Sequence, residues 1–529
     1  MHSRVRPLCS RTPLFSQYSR TPMAGEPADI QDIADKTFDY VVIGCVIASR
    51  LSEDPDVTVA LLEAGPPHLN DLLVRDPAAC LKLLVNSEYE YPYTTTPHKL
   101  RPPVSVWMTN IGKLGNEGWT WENFCKCHKK VQRCVLLGVV DTAHWPLIVR
   151  RRFYPSSKNE LSEFKNLYNP DFVGGDGMSV TGTFKALSNI DLEIRQRAYS
   201  ATTYLFPALD RPNLKVLTDA YVRKIVTDES GGDVAASGVE FEYGGHVYTV
   251  FIKKEVVLSV GYISTPLGTE VKVVLPSVRT NVQEHSSMGV NRWTNVSGLP
   301  DAIKMVVNSA TFVPIQSASD RTDILVPGEK EKFAQNACTC PPGRKEQLEI
   351  QLQQLEDLHV SDFEMIFFPF MIHFFANPEP EKPYLNILSV LSRPFSRGSI
   401  HITSADPKAD PAVNTHSYEE KIDLDIKTEA VKFVRKVMKT EPFSKIIEKE
   451  ELPGPEVQMD EQLYGAPEII GLILTPCLDT CGSNSMLPRD KGGVVDSKLK
   501  FHGTRNIRVV DLPILPLQTA VHPMGMVHT

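Results

Sequence analysis

At 529 residues and 59.0 kDa the chain has room for two or three domains with a sizeable core. Its 42% hydrophobic and 23% charged content is ordinary for a soluble globular protein, and a net charge of −8 argues against nucleic acid or an anionic membrane as partner. No apolar run approaches the ~20 residues of a membrane span; the best, Met365 to Phe375, is broken by Pro369 and His373.

Residues 1–25 hold Arg4, Arg6, Arg11 and Arg20 and no acid, a composition like that of a mitochondrial transit segment, without the apolar stretch of a secretory signal. The other reading is an extension ahead of a start at Met23, because Met23-Ala-Gly-Glu runs directly into the first strand. Ten cysteines without regular pairing suit a reducing compartment, so an intracellular, cytoplasmic location is expected.

Residues 38–65 predict a strand–helix–strand unit. The first strand ends at Gly44, a helix begins with Cys45, and a second strand from Val57 to Leu62 delivers Glu63 nineteen positions after Gly44. That interval is close to the ~20 residues that put an acid on a nucleotide ribose. The G-x-G-x-x-G run that lets backbone N–H groups approach a pyrophosphate is missing. Further on, Gly115 to Gly118 predicts a turn into a helix capped by Thr120. A helix is expected over 190–206, followed by strands at 213–218, 221–226, 235–243, 246–252 and 255–261, with turns at Gly231-Gly232 and Gly244-Gly245.

From about 300 to 450 the pattern changes to longer alternating strands, Phe363 to Phe375 and Leu385 to Leu391, with helical spacing over 344–359 and 423–438. This predicts a second domain on an antiparallel sheet. The acidic, proline-containing stretch Glu448 to Glu461 reads as a solvated linker, and strand character returns over 492–511.

These blocks carry a resemblance. Asp39-Tyr-Val-Val-Ile-Gly, Arg50-Leu-Ser-Glu-Asp-Pro, Leu61-Leu-Glu-Ala-Gly, Leu114-Gly-Asn-Glu-Gly-Trp, Val256-Val-Leu-Ser-Val-Gly and Asn281-Val-Gln-Glu-His stand in the first half. Arg393-Pro-Phe-Ser-Arg-Gly-Ser, Gly482 to Asp496, Arg508-Val-Val-Asp-Leu and His522-Pro-Met close the series. In this order they resemble the glucose–methanol–choline oxidoreductases, of the fungal aryl-alcohol oxidase type. The implied fold is α/β plus α+β: a Rossmann-like FAD-binding domain with a second, substrate domain on an antiparallel sheet. The division expected is an extension over 1–35, FAD-binding parts at 36–300 and 456–529, and a substrate domain at 301–455.

The resemblance implies FAD as cofactor, with Glu63, beside Ala64, on the adenosine ribose, Val222 against the adenine, and Asp511 near the pyrophosphate–ribitol region beyond Gly44. It implies a small-molecule alcohol as substrate and oxygen or a quinone as electron acceptor. His522 matches the second member of the family's catalytic pair, and an imidazole with an unperturbed pKa near 6.5 suits proton acceptance from an alcohol. The first member, two residues before Cys481, is here Asp479, which with an ordinary pKa near 3.9 is ionised and cannot donate.

Other departures accompany it. A glycine- and serine-rich segment expected after Lys99 is missing, a loop and helix after Pro266 are compressed, and the helix expected after His522-Pro523 has no counterpart before Thr529. Losing several charge-assisted hydrogen bonds at ~1.5–3 kcal/mol each weakens FAD binding by orders of magnitude. The alternative to an alcohol oxidoreductase is therefore a catalytically inactive, FAD-free relic or an incomplete gene product of the same family.

Three further signals have plainer readings. Cys125, Cys127, His128 and Cys134 look like metal ligands, but their tight, one-sided spacing fits an amphipathic helix. Cys338 and Cys340 lack a partner pair. The phenylalanines from Phe363 to Phe375 suit either an aromatic-alcohol pocket or sheet core, and His285 is expected to make structural hydrogen bonds.

Overall fold

The computed structural model describes residues 27–44, 46–68, 71–76, 108–120, 181–185, 196–228, 233–261, 272–294, 309–368, 382–404, 408–441, 443–458 and 479–520, with a few isolated positions besides. The strands in chain order are β1 Thr37–Ile43, β2 Val59–Leu62, β3 Gly182–Lys185, β4 Ile190–Asp191, β5 Gln196–Arg197 and β6 Leu214–Leu217. They continue with β7 Tyr221–Asp228, β8 Ala235–Tyr243, β9 His246–Leu258, β10 Ser286–Thr294, β11 Ser309–Val313 and β12 Phe363–Phe368. The last six are β13 Tyr384–Leu391, β14 Ser399–His401, β15 Ala412–Asn414, β16 Ile447–Leu452, β17 Thr475–Pro476 and β18 Ile507–Val509.

The first sheet runs β6-β2-β1-β9-β8-β7, with β18 alongside β9. Its β6, β2, β1, β9 and β18 members are parallel neighbours, while β9-β8-β7 is an antiparallel extension. β1 and β2 are nearly continuous apolar runs, which suits parallel strands covered on both faces. β9 is a single strand of 13 residues in which the 246–252 and 255–261 runs merge. Its first part pairs with β8, and its second lies between β1 and β18.

The second sheet runs β16-β10-β13-β12-β11-β3, antiparallel, with β17 on β10. It draws strands from both sides of residue 300. The helix Lys421–Met438 packs on it through Ile422, Ile426, Ala430, Phe433, Val434 and Val437, the spacing expected of one buried helix face. Phe363 and Phe433 meet edge to face at 6.2 Å between ring centroids. Phe367 lies 5.9 Å from Phe443 in a stacked pair, so Phe363 and Phe367 belong to the sheet core. Phe370, Phe374 and Phe375 lie outside the described residues.

Two expectations change. The helix expected over 190–206 is confined to its end: β4 and β5 pair antiparallel, and a π turn Ala201–Leu205 runs into a 3-10 turn Phe206–Ala208. The Thr202 hydroxyl bonds both backbone groups of Tyr199 at the start of this segment, and Pro207 lies in its closing 3-10 turn. The expected linker over 448–461 begins as the sheet strand β16, where Glu450 is buried between Arg435 and Arg292. The Thr120 hydroxyl accepts the Asn123 N–H at 3.3 Å, while the helix expected beyond it lies outside the described residues.

Candidate functional site

The parallel strands of the first sheet all end along one carboxyl edge, the place where open α/β sheets bind ligands. Gly44 follows β1 and Glu63 follows β2, with the Gly44 N–H donating to Leu62 O at 3.3 Å. A Cβ at Gly44, whose φ is +97°, would lie 2.2 Å from the Ser259 carbonyl oxygen, so only glycine closes this strand end against β9. Glu63 is half-buried and its Oε1 accepts the Gly65 N–H at 2.9 Å. The Glu63 carbonyl accepts the Ala220 N–H at 2.9 Å, and Gly65 O accepts the Asp219 N–H at 3.2 Å. Glu63 and Ala64 are thereby held beside the turn that leads into Val222, which is buried near the start of β7.

Asp511 follows β18 on the other side of β9. Its Oδ2 accepts the Gly261 N–H at 3.0 Å, and its Oδ1 is buried with no hydrogen-bond partner among the described residues. Burial pushes the carboxyl up to about 7, against the Gly261 and Val260 N–H groups that favour the charged form. A buried acceptor at a ligand edge with no protein donor fits a hydroxyl-bearing group such as a ribose or ribitol. The phosphate end is different. Only Gly44 and Cys45 separate β1 from the helix Val46–Leu51, too few residues for a nest of N–H donors.

A second polar centre lies where four segments converge. His285, 2% exposed, places Nδ1 3.2 Å from Asp479 Oδ2, and its Nε2 lies 2.8 Å from Thr519 O and 3.1 Å from Ser392 O. Glu284 accepts the Asp479 N–H at 3.1 Å and the Thr480 hydroxyl. Gln518 donates to Asp479 O at 2.6 Å, and Gln283 accepts the Gln518 N–H at 3.1 Å. Burial raises Glu284 to about 7, assisted by the Asp479 charge and opposed by the Thr480 hydrogen bond. For His285, burial opposes protonation, but the hydrogen bond and charge of Asp479 outweigh it and the pKa is raised. Burial pushes the adjacent Cys481 thiol well up, so it is a packing group and no nucleophile.

The structure thus joins Asp479 to His285 and sets Gly44, Glu63, Ala64 and Asp511 along one sheet edge. His522 lies outside the described residues, three positions beyond Thr519, as do Cys125, Cys127, His128 and Cys134. Among the described residues no group of three or more His, Cys, Asp or Glu side chains could hold a metal. Glu284, Thr480 and Gln518 escaped the sequence reading. The signal for the first was three consecutive polar residues, Gln283 to His285, leading into a strand buried along most of its length.

Two family models, both described as GMC oxidoreductase, match residues 101–268 and 394–529, together more than half of the chain. The chain belongs to the GMC oxidoreductase family. Among relatives of this GMC oxidoreductase, the GMC oxidoreductase family protein Mala s 12 of Malassezia sympodialis is 28% identical over 583 residues, covering 94% of this chain and 91% of the relative. Glucose oxidase of Aspergillus carbonarius is 25% identical, with 94% and 91% covered.

Solved structures share the fold. An FAD-dependent oxidoreductase from Chaetomium thermophilum superposes with a TM-score of 0.74 at 19% identity, covering 93% of this chain and 97% of that one. A fungal aryl-alcohol oxidase gives 0.68 at 18% identity, again with 93% and 97% covered. The fold is therefore the family's Rossmann-like domain joined to a second domain on an antiparallel sheet.

Proposed function

We propose that this GMC oxidoreductase uses FAD to oxidise the CH–OH group of a small-molecule alcohol, with oxygen or a quinone taking the electrons. The observation that carries this reading is the carboxyl edge, where Glu63 and the orphaned Asp511 Oδ1 flank the ends of β1 and β9. Bound there, FAD supplies an acceptor for hydride from the alcohol carbon.

The chain's own groups do the rest. Glu63 accepts hydrogen bonds from the ribose hydroxyls, and Val222 offers an apolar wall to the adenine. Asp511 satisfies its free oxygen with a hydroxyl of the ribityl region. His522 takes the alcohol proton, as a group with a pKa near neutrality does most effectively. Residues 301–455 supply much of the second sheet and carry the substrate side.

A second reading has its own support: a catalytically inactive chain that retains the fold without FAD. The two-residue link between β1 and the following helix removes phosphate donors, and Asp479 stands where the family's first catalytic histidine is expected. Flavin content decides between them. Purified full-length protein is incubated with excess FAD, desalted, and denatured to release bound flavin. Near one FAD per chain, together with alcohol turnover that His522→Ala abolishes, upholds the first reading. No retained flavin leaves the second.

A further inference from the structure

We propose that His285 and Asp479 form a one-proton dyad: the Nε2–H of the ring is committed to two backbone carbonyls, and a single proton shared between Nδ1 and Asp479 Oδ2 keeps Asp479 a carboxylate beside the segment that runs to His522. His285 is then a positioning residue for alcohol oxidation. That role rests on the function proposed above, whereas the protonation pattern does not.

The pattern follows from donor and acceptor chemistry. Thr519 O and Ser392 O, at 2.8 and 3.1 Å from Nε2, can only accept, so Nε2 carries a hydrogen. Nδ1 then faces Asp479 Oδ2 at 3.2 Å. Two lone pairs would repel at that separation inside a buried site, so one proton lies between them. Three titratable groups among the described neighbours are engaged elsewhere or stay neutral. Glu284 accepts through both oxygens, from the Asp479 N–H and the Thr480 hydroxyl. Cys481 is a neutral thiol, and Arg393 is turned away toward Ser361 O and Asp362. The raised pKa of His285 agrees with a ring that keeps its second proton near neutrality.

The dyad also ties together distant parts of the chain. Asp479 is held by the ring, the ring holds the Thr519 carbonyl, and Gln518 returns to Asp479 O at 2.6 Å. This closed circuit fixes the backbone three residues before His522. Asparagine at 479 can donate its amide N–H to an unprotonated Nδ1, so Asp479→Asn preserves the geometry while removing the proton.

The test is the ring's ¹⁵N spectrum in full-length, ¹⁵N-histidine-labelled protein with excess FAD at pH 7, with His285 identified by its loss in His285→Gln. Both nitrogens protonated in the wild type, and Nδ1 alone deprotonated in Asp479→Asn, is the expected result. A neutral wild-type ring, or one unchanged by Asp479→Asn, overturns the dyad. The positioning role is read from the pH profile of kcat for a primary alcohol, which Asp479→Asn shifts by about one pH unit or more with KM little changed. Coincident profiles in an active enzyme overturn that role. A wild type that binds flavin but turns over no alcohol counts against the proposed function, and the ring spectrum still judges the dyad.

Discussion

Replacing Glu284 by glutamine isolates the cost of a buried carboxylate. Burial lifts its pKa from an ordinary 4.5 to about 7. An acid whose folded pKa is raised contributes stability that is fully present below its unfolded pKa and is lost as pH rises through the folded value. At 1.36 kcal/mol per pKa unit, the loss between about pH 4.5 and 7 amounts to about 3 kcal/mol. Glutamine keeps one acceptor for the Asp479 N–H and offers an amide donor to the Thr480 oxygen, which can rotate to accept it. The variant therefore retains the contacts without the titration. Urea unfolding at pH 5 and pH 8 provides the assay. Relative to the wild type, Glu284→Gln gains about 2.5 kcal/mol in moving from pH 5 to pH 8, since part of the loss has already occurred at pH 5. Parallel curves for the two proteins would show that Glu284 is already ionised at pH 5, and the burial argument fails.

Three further outcomes are expected. Gly44→Ala puts a Cβ 2.2 Å from Ser259 O at a φ of +97° and destabilises by about 2 kcal/mol or more, measured by urea unfolding. Glu450→Leu strands the Arg435 and Arg292 guanidiniums and costs about 3–5 kcal/mol, read as a fall in Tm, because removing one member of a buried ion pair leaves uncompensated charge. Glu63→Gln weakens FAD by about tenfold in a flavin-fluorescence titration, the loss expected when a charge-assisted hydrogen bond becomes a neutral one.

The parts of the fold that were legible in the sequence are those whose signal is local. β1 and β2 are buried on both faces, so each is written as an apolar run, and the Gly44-to-Glu63 interval survives because it lies within one strand–helix–strand unit. β16 was not legible. Its Ile-Glu-Lys-Glu-Glu-Leu reads as a solvated stretch, and what buries Glu450 is Arg435, 15 residues earlier on a different element. The second polar centre is harder still, since His285 and Asp479 are 194 residues apart and neither has an apolar pattern that announces the other. Buried polar groups are specified by their partners, and partners brought together by tertiary packing leave no periodicity.

The carboxyl edge and the dyad make different demands on the missing glycine loop. At the edge, Gly44 already spends its N–H on Leu62 O and packs against Ser259, so the strand end is closed by the protein itself. A loop restored after Gly44 adds phosphate donors, and the gain falls on FAD affinity. It cannot reach Asp479, which is held by Glu284, His285 and Gln518 on segments outside the first sheet. Cofactor affinity and proton chemistry are therefore separable in this chain. A glycine-loop insertion that tightened FAD binding and also shifted the pH profile of kcat, with Asp479 unchanged, would contradict that separation. Tighter FAD binding with the pH profile of kcat left where it was is the outcome that the two independent hydrogen-bond circuits require.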